Sequence, residues 1–271
     1  MSTTGESSLS PRRWERFRPA QRLARFAVYL VIVAAVVVSV RTVEVIPEFL
    51  YDAPQQVNDL LQRMWPIDFA HYPGGVHDAL METLHIATLG TILAIVMAVP
   101  VGMLAAHNLT PFASVNYAAK LVLVASRSVN SLVWALLFVA VFGPGPLAGT
   151  LAIAFRSIGF VGKLVGEALE EAHPGTIEAL RAVGAPWPSI IAKGYWPQIE
   201  PAFWSIALFR WDINVRESAV LGLVGAGGIG MALDTALNLF QWHRVATVLL
   251  AIFLVVVIAE LAVTWIRKRI L

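Results

Sequence analysis

The chain has 271 residues, of which 58% are hydrophobic and only 14% charged, where soluble domains run at roughly half and a quarter. That balance places it in a bilayer, and the absence of cysteine excludes disulfides, thiolate metal sites and cysteine nucleophiles. The net charge of +2 says little by itself, and no arginines interleave with aromatics on a soluble face as nucleic-acid binding would require.

Residues 1–25 turn from polar to basic, with Arg12, Arg13, Arg16, Arg18, Arg22 and Arg25 ahead of the apolar run Phe26 to Val40. A secretory signal peptide has the same order, but no small-x-small cleavage site follows Val40. The reading is a cytoplasmic basic N-terminus and an uncleaved first span over residues 26–43. Residues 44–79, punctuated by Pro47, Pro54, Pro66 and Pro73, form an external connection with a surface helix around Val57 to Met64. Five more apolar segments, at about 80–106, 117–142, 147–169, 198–223 and 245–266, bring the total to about six spans in an all-α integral membrane protein. Pro100 and Gly102 interrupt the second span, which neighbouring helices can tolerate.

Basic residues are retained on the cytoplasmic side of short loops. With Lys120 counted to the turn near Asn108, twelve Lys and Arg fall on the segments that six spans place inside, against Arg41, Arg63 and Arg244 outside. Both termini, the turn near Asn108 and the loop 174–197 are therefore cytoplasmic, and residues 267–271 form the C-terminal tail.

Five basic residues remain inside the spans. An Arg at the bilayer centre costs about 2.5 to 3.5 kcal/mol on translocon-insertion scales, so these side chains face protein or water. In the third span Arg127, Asn130, Ser131 and Trp134 fall on one helix face. The fourth carries Arg156 near its middle and Lys163 nearer the cytoplasm. In the fifth, Arg210, Asn214 and Glu217 share a face, while Asp212 and Arg216 pair at i, i+4 on another. Against Asp212 and Glu217, the excess of cations suits an anion. The alternative is that each Arg serves only helix packing.

The loop 174–197 is the longest polar interruption of the C-terminal two thirds. Thr176 can cap a short helix, Gly184 can end it in a left-handed turn, and Pro186 and Pro188 favour a new start. Further on, residues 220–230 hold Gly225-Ala226-Gly227-Gly228-Ile229-Gly230, which fits the dinucleotide fingerprint by letter but lacks its strand and its later acid. Backbone freedom beside a cavity, with Gly225, Gly227, Gly228 and Gly230 leaving N–H groups for an anion, explains it better; a plain hinge is the alternative. The six histidines show no metal-ligand spacing, and Asp78, Glu82 and His85 read as a polar rim at the outer mouth of the second span. No Ser-His-Asp arrangement or Walker motif is present.

Glu178-Ala179, then Gly184 and Pro197, resemble the EAA loop of ABC-importer permeases, whose pattern sets Glu-Ala-Ala ahead of a Gly and closes on Ile-x-Leu-Pro. Leu180 stands where that pattern has its second Ala, Gly194 where it has Ile, and Trp196 where it has Leu. The run Arg210 to Arg216 followed by the glycine loop resembles the phosphonate branch of these permeases, and the likeness covers roughly residues 75–266.

The resemblance implies a type I ABC-importer permease with a cytoplasmic coupling helix bearing Glu178, Ala179, Arg181, Gly184 and Ala185. The substrate path implied is Arg127, Asn130, Arg210, Asn214, Arg216 and Glu217. It implies import of a phosphonate, phosphite or similar phosphorus oxyanion across the inner membrane. The partners implied are a second copy of the chain, two ATPase subunits holding ATP and Mg, and an external binding protein. No cofactor or metal is expected on this chain, and no nucleic acid. A permease for another small ligand such as an amino acid, a secondary anion transporter or channel, and a non-transporting membrane scaffold are the rivals.

Overall fold

The structure, a computed structural model, describes residues 19–43 and 47–270, so Arg12, Arg13, Arg16 and Arg18 lie outside the described residues. Every regular element among the described residues is helical. The chain divides into two compact units, Met1–Asp59 and Leu60–Leu271.

The first unit contains α1 (Pro19–Thr42) and most of α2 (Pro47–Met64). At 1.5 Å per residue α1 is about 36 Å long, enough for a hydrocarbon core of about 30 Å. It starts earlier than residue 26 because Pro19 sits well in a first turn and Gln21, Arg22 and Arg25 continue a helix as readily as apolar residues do. The surface helix expected around Val57 to Met64 is longer than that, since α2 begins at Pro47 and runs through Pro54.

In the second unit, α3 (His77–Ala105), α4 (Ala113–Ser128), α5 (Ser131–Phe142) and α6 (Pro146–Glu170) are followed by two short helices, α7 (Pro174–Ala182) and α8 (Trp187–Ile190). Then come α9 (Trp196–Leu221), α10 (Ile229–Asn238) and α11 (Trp242–Ile270). The helix α6 packs against α3, α4, α5 and α9, and α11 packs against α9 and α10. Small residues permit this closeness. A β-carbon on Gly102 would stand 2.6 Å from the carbonyl oxygen of Gly162, and one on Gly166 would stand 3.1 Å from that of Gly102. Backbones meet there directly, the device that drives helix association where water supplies no hydrophobic force. Pro100 and Gly102 therefore do not interrupt α3, which is continuous, and Gly102 is its contact point with α6.

Among the described residues four helices are long and apolar enough to cross a membrane, or up to six if each of two bent pairs is one span. The first bent pair corrects the third segment. Between α4 and α5 the chain turns by 89°, because Val129 and Asn130 are extended and the Asn130 side chain accepts the N–H of Leu132. Residues 117–142 are thus not one helix, and Arg127, Asn130, Ser131 and Trp134 do not share a helix face. The second pair bends by 40° at the glycine loop, beyond which α10 forms a helix that the sequence reading leaves out.

Candidate functional site

Two regions gather the polar side chains. At one end of the bundle, α7 and α8 form the elbow expected at Gly184. The helix α7 is capped by His173, whose Nδ1 accepts the N–H of Gly175, so Thr176 is not the cap; Pro174 moves the helix start ahead of it. The other end behaves as expected. Gly184 has φ +73°, its N–H donates to the carbonyl of Arg181, and the N–H of Ala185 donates to that of Leu180 at 3.0 Å. These are the paired bonds of a Schellman turn. Pro186 then caps α8 in an extended conformation.

The elbow is one-sided. Ile177 and Ile190 are buried with Val165, Leu169 and Tyr195, while Glu178, Ala179, Arg181 and Gly184 are exposed and Ala185 is half-buried. Val183 and Trp187 add exposed apolar surface beside them. Gln198, at the start of α9, closes the neck: its Oε1 accepts the N–H of His173 at 2.8 Å and its Nε2 donates to the carbonyl of Gly194 at 2.7 Å. Nothing local in the sequence marks Gln198, because its first partner is 25 residues away.

Mid-bundle, a buried polar chain ties α3, α6 and α9 together. Arg210 Nε donates to Ser157 Oγ at 2.8 Å, Ser157 Oγ donates to Asn214 Oδ1 at 3.2 Å, and Asn214 Nδ2 donates to Thr91 Oγ1 at 2.7 Å. The Arg210 guanidinium lies 5.5 Å from the Phe160 ring centroid and 3.4 Å from Glu217 Oε2. Glu217 in turn lies 3.6 Å from Arg156 Nε. Asn214 is fully buried and Arg210 nearly so, at 3% exposure, so both are held inside the protein. A charge this deep survives only with partners that satisfy it, and here they are Ser157 and Phe160 on α6 and Glu217 two turns along α9.

The two faces of α9 separate as its spacing predicts. Arg210, Asn214 and Glu217 join the buried chain, and Asp212 and Arg216 pair with each other on the opposite side. Asp212 is buried and Arg216 half-exposed, and Asp212 Oδ1 has no hydrogen-bond partner among the described residues.

From Glu217 a charged stripe continues down α6. Arg156, Lys163, Glu167 and Glu170 recur at i, i+7, i+11 and i+14, one face at 100° per residue and about 21 Å long. Lys163 Nζ lies 3.3 Å from Glu167 Oε1, and Glu170 accepts the His107 N–H at 2.9 Å. Against the lower part of this stripe stands α4, with Lys120 and Arg127 one above the other. Together they line a cavity of about 250 Å³ that also touches Lys163, Glu167 and Glu170. In the sequence Arg156 and Lys163 stand as separate charges in a span, and the spacing along residues 156–170 is the signal that joins them. Arg127 thus sits on the groove, whereas Asn130 is the cap of α5 and lines no part of it.

The glycine loop forms the corner at the other end. Gly225, Gly227 and Gly228 have φ of +82°, +82° and +73°, and residues 226–230 are buried. Thr83 Oγ1 accepts the N–H of Ile229 at 2.7 Å, Gly145 donates to the carbonyl of Gly225, and the N–H groups of Gly225 and Ala226 bond within the corner. Gly230 lies in the first turn of α10 and packs on Gly222. Asp78, Glu82 and His85 line a second cavity, of about 480 Å³, with Pro146 and Thr150.

Residues 98–271 match the family described as binding-protein-dependent transport system inner membrane component. The chain is 34% identical over 261 residues to the phosphate-import permease protein PhnE of Mycolicibacterium smegmatis, covering 96% of this chain and 49% of that one. It therefore spans about half the length of that relative. It is 38% identical over 204 residues to the phosphite transport system permease protein PtxC of Stutzerimonas stutzeri, covering 75% of this chain and 74% of that one. A chain of the MetNI methionine ABC transporter, solved in inward-facing conformations, superposes with a TM-score of 0.64 at 24% identity, over 72% of this chain and 96% of that one. That likeness shows the fold, the all-helical one of ABC-importer permeases.

Proposed function

From the premise that the chain belongs to the family of binding-protein-dependent transport system inner membrane components, we propose that it is the permease subunit of an ATP-driven importer for a phosphorus oxyanion such as phosphate, phosphite or a phosphonate. The observation that carries the substrate class is the cationic groove. Lys120, Arg127 and Lys163 line one cavity along α4 and α6 and outnumber its two carboxylates, Glu167 and Glu170, at the foot of a charged stripe no lipid would accept. Guanidinium and ammonium groups bind tetrahedral oxyanions by charge-assisted hydrogen bonds, and the names of the two relatives point to the same chemistry.

On this reading Arg127, Arg156, Lys163 and Glu217 line the path, and Arg210, itself anchored through Ser157 to Asn214, holds Glu217 in place from behind. Arg216 belongs to the Asp212 pair. The glycines at 225, 227, 228 and 230 build the external corner. The elbow 174–197 is the cytoplasmic coupling element: Glu178, Ala179, Arg181, Gly184 and Ala185, with Val183 and Trp187, face an ATPase subunit that holds ATP and Mg. Two copies of this chain, two such ATPases and an external binding protein complete the importer. ATP binding draws the coupling elbows together and opens the spans outward, and hydrolysis resets them. Binding in the path is weak, because the ligand must leave.

The test is a complex reconstituted in liposomes with the ATPase and the binding protein. Phosphate, phosphite and a simple phosphonate are each offered, and ATP hydrolysis and uptake are read together. Stimulation of both by at least one of them is the expected result. Stimulation by an amino acid alone would replace the oxyanion with another small ligand, and ATP-independent anion flux would replace the importer with a channel.

A further inference from the structure

The helix α2 has no part in that mechanism, yet it is the most amphipathic of the long described helices. At 100° per residue Phe49, Leu50, Ala53, Val57, Leu60, Leu61 and Met64 fall within an arc of roughly 120°, and Glu48, Asp52, Gln55, Asp59, Gln62 and Arg63 occupy the opposite side. Its apolar arc is uncovered: Leu50 is 67% exposed, Val57 55% and Leu61 59%. Two spatial constraints say what covers it. Beyond its C-terminal end, His243 Nδ1 lies 2.9 Å from the carbonyl oxygen of Pro66, and Thr247 Oγ1 donates to that of Asp68 at 3.0 Å. Both partners belong to the first turns of α11, so that end of α2 is held at the mouth of a membrane-crossing helix. At the other end only residues 43–46 separate Pro47 from the end of α1, a reach of at most about 18 Å. Trp65 and Phe69, both exposed, follow immediately, residue types that settle at headgroup level.

We propose that α2 is an interfacial anchor: it lies along the membrane surface, with Leu50, Val57, Leu60 and Leu61 in the acyl layer just below the headgroups and its acidic side in water. A helix with a high moment, a charged face and low mean hydropathy lies in the interface rather than across it. Asp52 and Asp59 on the apolar side of a crossing helix would be costly, whereas here they point away from lipid. The anchor fixes the depth of the segment between α1 and α3 and does not depend on what the protein carries.

The absence of cysteine makes the test direct. Single cysteines at Leu50, Val57, Leu61, Asp52, Gln55 and Asp59 of the full chain are labelled with a nitroxide in liposomes of phosphatidylethanolamine and phosphatidylglycerol. Collisions with oxygen, which partitions into lipid, are compared with those of a water-soluble nickel chelate. The expected result is a ratio that oscillates with the helical period, lipid-like at Leu50, Val57 and Leu61 and water-like at Asp52, Gln55 and Asp59. The apolar positions should lie no deeper than about 10 Å. Water-like values at all positions would overturn the anchor. So would an apolar face shielded from both reagents, which is packing on protein, or depths reaching the bilayer centre, which is a span. Should a label prevent insertion, Ala53 or Met64 and Gln62 report the same two faces.

Discussion

The δ1 methyl of Leu180 stands 3.1 Å from the position a β-carbon on Gly194 would occupy. These are two of the three positions at which the elbow departs from the Glu-Ala-Ala to Ile-x-Leu-Pro pattern, and they touch. A larger residue where that pattern has Ala is met by the smallest residue where it has Ile, so the volume at the contact is exchanged between α7 and the turn before α9. Close-packed interiors tolerate such volume-conserving exchanges and resist one-sided ones. Gly194→Ile alone should therefore lower stability by about 1 to 3 kcal/mol. Leu180→Ala with Gly194→Ile should recover much of that, read as thermal unfolding of the purified chain in detergent. Strict additivity of the two changes would mean that the contact carries no coupling.

Gly184 tests the elbow by itself. No atom lies within 4 Å of the place its β-carbon would take, so the cost of Gly184→Val is backbone strain at φ +73°. That strain is about 1 to 2 kcal/mol and falls on the Schellman turn. The variant should insert at wild-type yield while copurification of the ATPase and ligand-stimulated hydrolysis fall together. Wild-type values for both would remove the coupling assignment.

The two ion pairs of α9 should separate in their effects. Arg210→Ala removes the partner of Glu217 and Ser157 at a nearly closed site, and breaking a buried pair costs about 3 to 5 kcal/mol, so poor assembly is expected. Arg216→Ala leaves Asp212 buried and unpaired, and the double change Asp212→Ala with Arg216→Ala should be milder than Arg216→Ala alone. Size-exclusion profiles and thermal unfolding of the three variants decide it. A double variant worse than the single would assign Arg216 a role outside that pair.

Lys163→Gln and Arg127→Gln act on exposed groups of the groove, where little packing is lost. Both should assemble and keep basal ATP hydrolysis, and oxyanion uptake should drop by roughly tenfold or more, the scale of one lost charge-assisted bond. Unchanged uptake in both would move the path away from α4 and α6.

Sidedness rests on the excess of Lys and Arg in the segments assigned to the cytoplasm. A reporter active only in the cytoplasm should work after Gly184, and one active only outside should work near Gln56. Finding both positions on one side would overturn the arrangement of spans.

Apolarity and period are sums over neighbours in the chain, and what depends on them is legible in the sequence. The spans around α1, α3, α6 and α11, the left-handed turn at Gly184 and the separation of Arg210 and Glu217 from Asp212 and Arg216 all follow from local spacing. Tertiary structure decides the rest. Arg210 meets Ser157 across 53 residues, and Asn214 meets Thr91 across 123, so no window of sequence shows whether a charged side chain in a span is enclosed or open to the path. The break before Asn130 was equally hidden, because a capping side chain and a span residue look alike until the N–H of Leu132 is seen to need a partner. Leu180 and Gly194 read as two faults in a motif when taken singly. Only their contact, set by how α7 folds back on the turn ahead of α9, makes them one fit.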